Sequence, residues 1–138
     1  MKRKGFTLVE LLMVVIIIGI LVTLAVPNYY RSVERAKAGK AKAAMDAVRK
    51  AELQYRAFND AYVDQSGAMD DLEEFDLPGD IRDDGNDIDW DYDVSGSSAD
   101  SMLITATRAA GPNSGSTLTM DQDGILANPD AVLEWGVN

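Results

Sequence analysis

The chain has 138 residues, with thirteen Lys/Arg against 23 Asp/Glu, a formal net charge of −10, no cysteine and no histidine. Lack of Cys excludes disulfides and thiolate metal sites, and lack of His removes the commonest general base and transition-metal ligand. Charge is divided along the chain: residues 1–58 hold eleven Lys/Arg and four acids, whereas residues 59–138 hold two Lys/Arg and nineteen acids. An acidic C-terminal part is a poor match for phosphate backbones, which proteins grip with Lys/Arg, so no nucleic-acid partner is expected.

The chain opens with three basic residues, Lys2, Arg3 and Lys4, and then Gly5. From Phe6 to Val26 every residue is apolar, small or hydroxyl-bearing except Glu10. A helix over that stretch spans ~31 Å at ~1.5 Å per residue, the thickness of a bilayer's hydrocarbon core. The basic cluster predicts that the N-terminus starts on the cytoplasmic side. A secretory signal would have an uncharged apolar region of ~7–15 residues, shorter than this one.

Glu10 is the informative residue. A carboxylate inside an apolar helix costs at least ~2.5 kcal/mol in lipid and calls for a partner, and nothing nearby in the sequence is expected to supply one. A cut after Gly5 would give Phe6 a free amino group. In a neighbouring helix shifted along the axis, that amine could meet a second copy of Glu10, and two isolated charges would neutralise each other in an apolar bundle.

Lys-Gly-Phe-Thr-Leu-Val-Glu-Leu-Leu at 4–12 resembles the signal of type IV pilins and pseudopilins, a short basic leader ending in Gly, then Phe, with Glu fifth in the mature chain. The likeness is close from Lys2 to Tyr30 and covers only general layout beyond. It implies cleavage between Gly5 and Phe6 and N-methylation of Phe6 by a prepilin peptidase/methyltransferase. It also implies a wait in the inner membrane among lipid, then extraction by an assembly platform into a helical homopolymer. Glu10 and Thr7 are assigned to assembly, and Gly19 and Pro27 to flexibility of the helix. Many pilins tie the C-terminal segment with a disulfide; this chain has no Cys, so something else must hold that segment.

Pro27 removes a backbone hydrogen bond and Gly19 adds a second weak point, so the stretch between them is expected to be helical in a membrane and to loosen in a filament. Beyond it, Ala44, Val48, Ala51, Tyr55, Phe58 and Tyr62 recur at spacings of four and three, one face of an amphipathic helix made to pack on a sheet. Residues 31–43 hold a single large aliphatic side chain, Val33, and read as an exposed or subunit-contacting shaft. The aromatics, among them Phe6, Tyr29, Tyr30, Tyr55, Phe58 and Tyr62, are assigned to packing.

Residues 59–87 are polar and turn-rich, with Ser66-Gly67, Pro78-Gly79 and Asp84-Gly85-Asn86 as turn signals and a short helix expected at Met69–Phe75. The period then changes to two. Ile88, Trp90, Tyr92 and Val94 alternate with Asp87, Asp89, Asp91 and Asp93, a strand with one apolar face. The carboxylate row reads as a solvated face, or as a contact for the basic shaft of a neighbouring copy. Strands at 102–107 and 116–120 follow, separated by turns at 95–98 and 111–113. Val132, Leu133 and Trp135 are expected to pack at the sheet edge.

Asp121-Gln122-Asp123-Gly124 begins like an oxygen-rich calcium loop but lacks the further ligands of that pattern. A plain turn is expected, with calcium on Asp121 and Asp123 the alternative and no other cofactor. No phosphate loop and no nucleophile with a base is present, so the chain does not read as an enzyme.

The expected architecture is α+β, the pilin fold: a long N-terminal helix, apolar then amphipathic, on an antiparallel sheet of about three or four strands. Residues 1–5 form a cleaved leader, 6–58 the helix with 6–27 as membrane or filament-core part, and 59–138 an acidic head. The function expected is that of a structural subunit of a surface type IV pilus for adhesion or motility. A type II secretion pseudopilin, working in the periplasm, is the first alternative, and a membrane-anchored binding domain that never polymerises is the second.

Overall fold

The structure, a computed structural model, describes residues 5–66, 69–72, 74, 75, 77, 78, 81 and 89–132. Lys2–Lys4, Asp87, Ile88, Leu133, Trp135, and all or part of the turns at Ser66-Gly67, Pro78-Gly79 and 84–86 lie outside the described residues.

One helix, α1 (Leu8–Asn59), runs unbroken through Gly19 and Pro27. It starts at Thr7, whose extended backbone and side chain form a capping box with Glu10. It stops where Asp60 turns left-handed (φ 60°) and donates its N–H to the Arg56 carbonyl. From Phe6 to Val26 the large apolar side chains are 43–81% exposed, so this half touches no core of its own. The helix is long and apolar enough to cross a membrane.

Beside the second half lies a five-stranded antiparallel meander: β1 (Gln65–Ser66), β2 (Trp90–Ser95), β3 (Leu103–Arg108), β4 (Thr117–Asp121) and β5 (Leu126–Ala127), paired in that order. The two edge strands have two residues each and carry no readable alternation, so the pattern predicts three or four strands where the structure holds five. Register sets Tyr92 opposite Ala106 and Ala106 opposite Leu118, so one face of all three long strands is apolar. Trp90, Tyr92, Val94, Ile104, Leu118 and Met120 are buried there, each contributing on the order of 1.5–3 kcal/mol. Asp91, Asp93, Thr105, Thr107, Thr117 and Thr119 alternate with them on the half-exposed outer face.

The helix meets this sheet through Ala38, Ala41, Ala44, Met45, Val48 and Ala51. Alanines let the sheet approach closely, while Met45 and Val48 fill the remaining space. Burial therefore begins at Ala38, and the expectation of a solvent-exposed or subunit-contacting shaft over residues 31–43 is corrected at Ala38 and Ala41, whose small side chains pack on the sheet. Phe58 is corrected as well. It is 81% exposed, whereas Tyr55 one turn earlier is partly buried against the core. Tyr29 and Tyr30 are also exposed, edge to face with centroids 6.1 Å apart. Tyr62 is buried, and Tyr55 is partly buried against the core.

The loop after the helix forms a 3-10 turn at Asp70–Leu72 in place of the longer helix expected at 69–75. Met69 and Leu72 are buried in it, and Phe75 is partly buried. The C-terminal segment is held without covalent links. Asp130 Oδ2 accepts from the Thr117 N–H (2.7 Å) and hydroxyl (2.8 Å), and Val132 is fully buried.

Candidate functional site

At the start of α1 the capping box brings Thr7 and Glu10 together. Glu10 Oε2 accepts from the Thr7 N–H at 2.8 Å and from the Thr7 hydroxyl at 2.8 Å, while Thr7 Oγ1 accepts from the Glu10 N–H at 3.3 Å. Glu10 thus has a partner within its own chain, contrary to the expectation from sequence. The signal was legible: Thr-x-x-Glu ahead of an apolar run is a capping box. The carboxylate is poised beside residue 7 at the helix start, where the helix dipole also favours negative charge.

Glycine at position 5 is not demanded by the fold. A side chain there would meet nothing within 4 Å, and the same is true at Gly19. Pro27 lacks the N–H that would reach the carbonyl of Thr23. Around it, Thr23 Oγ1 donates to the Ile20 carbonyl at 2.7 Å and Asn28 Nδ2 to the Leu24 carbonyl at 3.3 Å.

Where the helix leaves the head, sequence reasoning missed a charged junction. Arg108, 2% exposed at the end of β3, donates from Nη2 and Nε to Glu34 (3.1 and 3.4 Å) and from Nη1 to the Asp89 carbonyl (2.6 Å) and carboxylate (3.1 Å). Lys37 Nζ adds a 2.7 Å bond to Asp89, and Asn113 Nδ2 a 3.2 Å bond to Glu34. The Arg108 guanidinium also lies 5.8 Å from the centroid of the Trp90 ring, a cation–π contact. Burial pushes the Glu34 and Asp89 carboxyls up, but hydrogen bonds and charge from Arg108, Lys37 and (for Glu34) Asn113 outweigh it and leave both below their usual values. One member of the aspartate row is therefore committed to its own shaft, while Asp91 and Asp93 face outward.

The structure places Asp121 and Asp123 in the turn between β4 and β5. Asp121 Oδ1 accepts the N–H groups of Asp123 (3.0 Å) and Ile125 (2.8 Å), which closes the turn. From the helix, Arg49 Nε donates to the Gln122 carbonyl at 2.9 Å. Among the described residues no group of three or more acids is arranged to hold a metal ion.

Residues 1–26 match the prokaryotic N-terminal methylation motif. Similar proteins include the type IV major pilin protein PilA of Myxococcus xanthus, 40% identical over 63 residues, 46% of this chain and 29% of that protein. The type IV narrow pilus major component PilA5 of Thermus thermophilus is 47% identical over 51 residues, 37% of this chain and 44% of that one. The type II secretion system core protein G of Escherichia coli is 36% identical over 73 residues, 53% of this chain and 50% of that one. The chain thus spans half or less of the length of each of these relatives. Their names describe pilus and secretion-system components, not enzymes. No solved structure matches the chain. The methylation motif at its head, relatives of both kinds, and a long apolar helix set on an antiparallel sheet all support a place for the chain among type IV pilins and pseudopilins.

Proposed function

We propose that the chain is a non-catalytic subunit that polymerises through its N-terminal helix into a surface type IV pilus serving adhesion or motility. A prepilin peptidase removes residues 1–5 and methylates the Phe6 amine. The precursor rests in the inner membrane, and an assembly platform feeds residues 6–27 into the filament core. Residues 59–138 form the exposed head, and Glu10, with Thr7, meets the Phe6 amine of a neighbouring copy and sets the axial shift.

The observation that carries this reading is the helix from Phe6 to Val26, whose large apolar side chains are 43–81% exposed. Such a surface needs lipid or other helices around it, and its single carboxylate sits one turn from the proposed new amine. Glycine at position 5, where the fold makes no use of it, supports a demand made by a processing enzyme.

A second reading, a periplasmic pseudopilin of a type II secretion system, is favoured by the likeness to core protein G over 53% of the chain. Shearing cells of the source organism and analysing the released fraction by mass spectrometry separates the two. An abundant peptide beginning with N-methylated Phe6 is the expected result. The same peptide confined to the envelope fraction would favour the pseudopilin, and a mature chain still carrying Lys2–Gly5 would overturn processing altogether.

A further inference from the structure

Among the described residues three polar side chains are buried: Arg108, Gln65 and Glu52. Arg108 is ringed by carboxylates, and Gln65 Nε2 donates to Asp71 Oδ2 at 2.8 Å. Glu52 is different. It is 0% exposed, its Oε2 accepts only the Val63 N–H at 3.1 Å, and its Oε1 has no partner. Among the described residues the charged groups facing it from the loop are Asp64 and Asp71, both of its own sign. On its own helix, the cations a turn away are spent elsewhere: Arg49 on the Gln122 carbonyl, Arg56 on Asp100 at 3.0 Å and on the Tyr62 ring.

A carboxylate so placed is stable as the neutral acid and costly as the anion, since burial without a cation is the unfavourable case. What covers it is held lightly. Tyr62–Ser66 is tied by the Tyr62 N–H to Ser98, by the Ser97 N–H to Asp64, and by the two-residue pairing of β1 with β2. Met69–Leu72 contributes the buried side chains of Met69 and Leu72.

We propose that Glu52 is a pH-operated latch: protonated, it fastens the segment Tyr62–Ser66 to the helix, and ionised, it lifts that segment to admit water. The direction follows from the group's surroundings. Burial, opposed by the Val63 N–H and reinforced by Asp64 and Asp71, raises the Glu52 carboxyl to about 7 from an ordinary value of 4.5. An acid raised on folding contributes its full stability below its unfolded value and loses it as pH rises toward the folded one. The latch is therefore fully closed below about pH 4.5 and progressively weakened up to about 7. The segment it controls covers the edge of β2, so opening changes the surface of the head near neutral pH.

The test is amide hydrogen exchange at Val63 and Gln65, corrected for intrinsic rates, in the full chain in detergent micelles from pH 5 to pH 9. A 13C titration of the Glu52 carboxyl is read alongside. Protection of Val63 is expected to fall by up to about 100-fold, the factor in the two pH units between 5 and 7, while the core amides of β3 stay protected. Glu52→Gln stays neutral and keeps an acceptor for Val63, so its profile is expected to be flat and its melting temperature at pH 5 unchanged. The pair Asp64→Asn and Asp71→Asn removes the like charges and moves the midpoint down. Flat protection in the wild type, a fall that persists in Glu52→Gln, or an unmoved midpoint in the double variant would each overturn the latch.

Discussion

Arg108 Nη2 lies 3.1 Å from Glu34 Oε1 across 74 residues of sequence, and this bond joins the last residue of β3 to the helix just above the exposed tyrosines. Removing the Arg108 cation takes from Glu34 and Asp89 the buried charge that they share. Arg108→Leu is expected to lower stability by about 3 kcal/mol, the cost of breaking a buried ion pair on one side. Urea denaturation of the full chain in micelles reads this as a shifted midpoint, and an unchanged midpoint would show the junction to be energetically idle.

The same junction sets an acid limit. Glu34 and Asp89 are held below their ordinary values of 4.5 and 3.8. Acids depressed on folding contribute stability that is present above their unfolded values and lost as pH falls through the folded ones. Stability should therefore decline below about pH 4 in the wild type, and the decline should be shallower in Glu34→Gln. Equal acid slopes in the two proteins would remove the junction from the account.

Glu10 is predicted to act in assembly through its charge. Glu10→Gln keeps acceptors for Thr7 and the helix start, yet offers no counter-ion to an amine. Filament yield is expected to drop more than about tenfold, with the chain still membrane-bound, since ~1.4 kcal/mol is a factor of ten. Glu10→Ala should do the same. Wild-type yield of sheared filaments from Glu10→Gln would sink the ion-pair role.

Processing makes a separate prediction. Gly5→Leu meets no obstruction within the chain, so the precursor should fold and insert normally. Mass spectrometry is expected to find residues 1–5 retained. Removal of the leader at a normal rate would place the specificity elsewhere.

Gly124 joins a left-handed backbone to a close neighbour. Its φ is +81°, and a Cβ there would stand 3.2 Å from Arg49 Cζ and Nε. Gly96, at φ +65°, has open space around it. Both Gly→Ala substitutions carry a left-handed backbone cost of roughly 1–2 kcal/mol. Gly124→Ala should cost more by about 1 kcal/mol, through the disturbed Arg49 bond to Gln122. In an Arg49→Ala background that excess should disappear in a thermal-unfolding comparison.

Legibility in the sequence tracked the range of the interaction. The apolar run from Phe6, the helix over residues 8–59 and the three long strands follow from local period, and each is where the pattern put it to within a few residues. The Thr7–Glu10 cap is equally local, but a carboxylate in an apolar run reads first as a membrane charge, and that reading hides the cap. The Arg108–Glu34–Asp89 junction had no sequence signal, because its members come from three elements and meet only after the sheet is laid on the helix. Phe58 shows the complementary limit: helical periodicity says which face is apolar but not how far along the helix that face is covered.

The way the C-terminal segment is fastened has a consequence for where this head can mature. Its clasps are the Asp130 carboxylate on Thr117, the Val132 side chain in the core and Arg49 on the Gln122 carbonyl. None of them needs an oxidant to form, and no reductant undoes them. The head can close without a thiol-oxidising partner, and it should keep its shape in anoxic or sulfide-rich surroundings that would open a disulfide-tied loop.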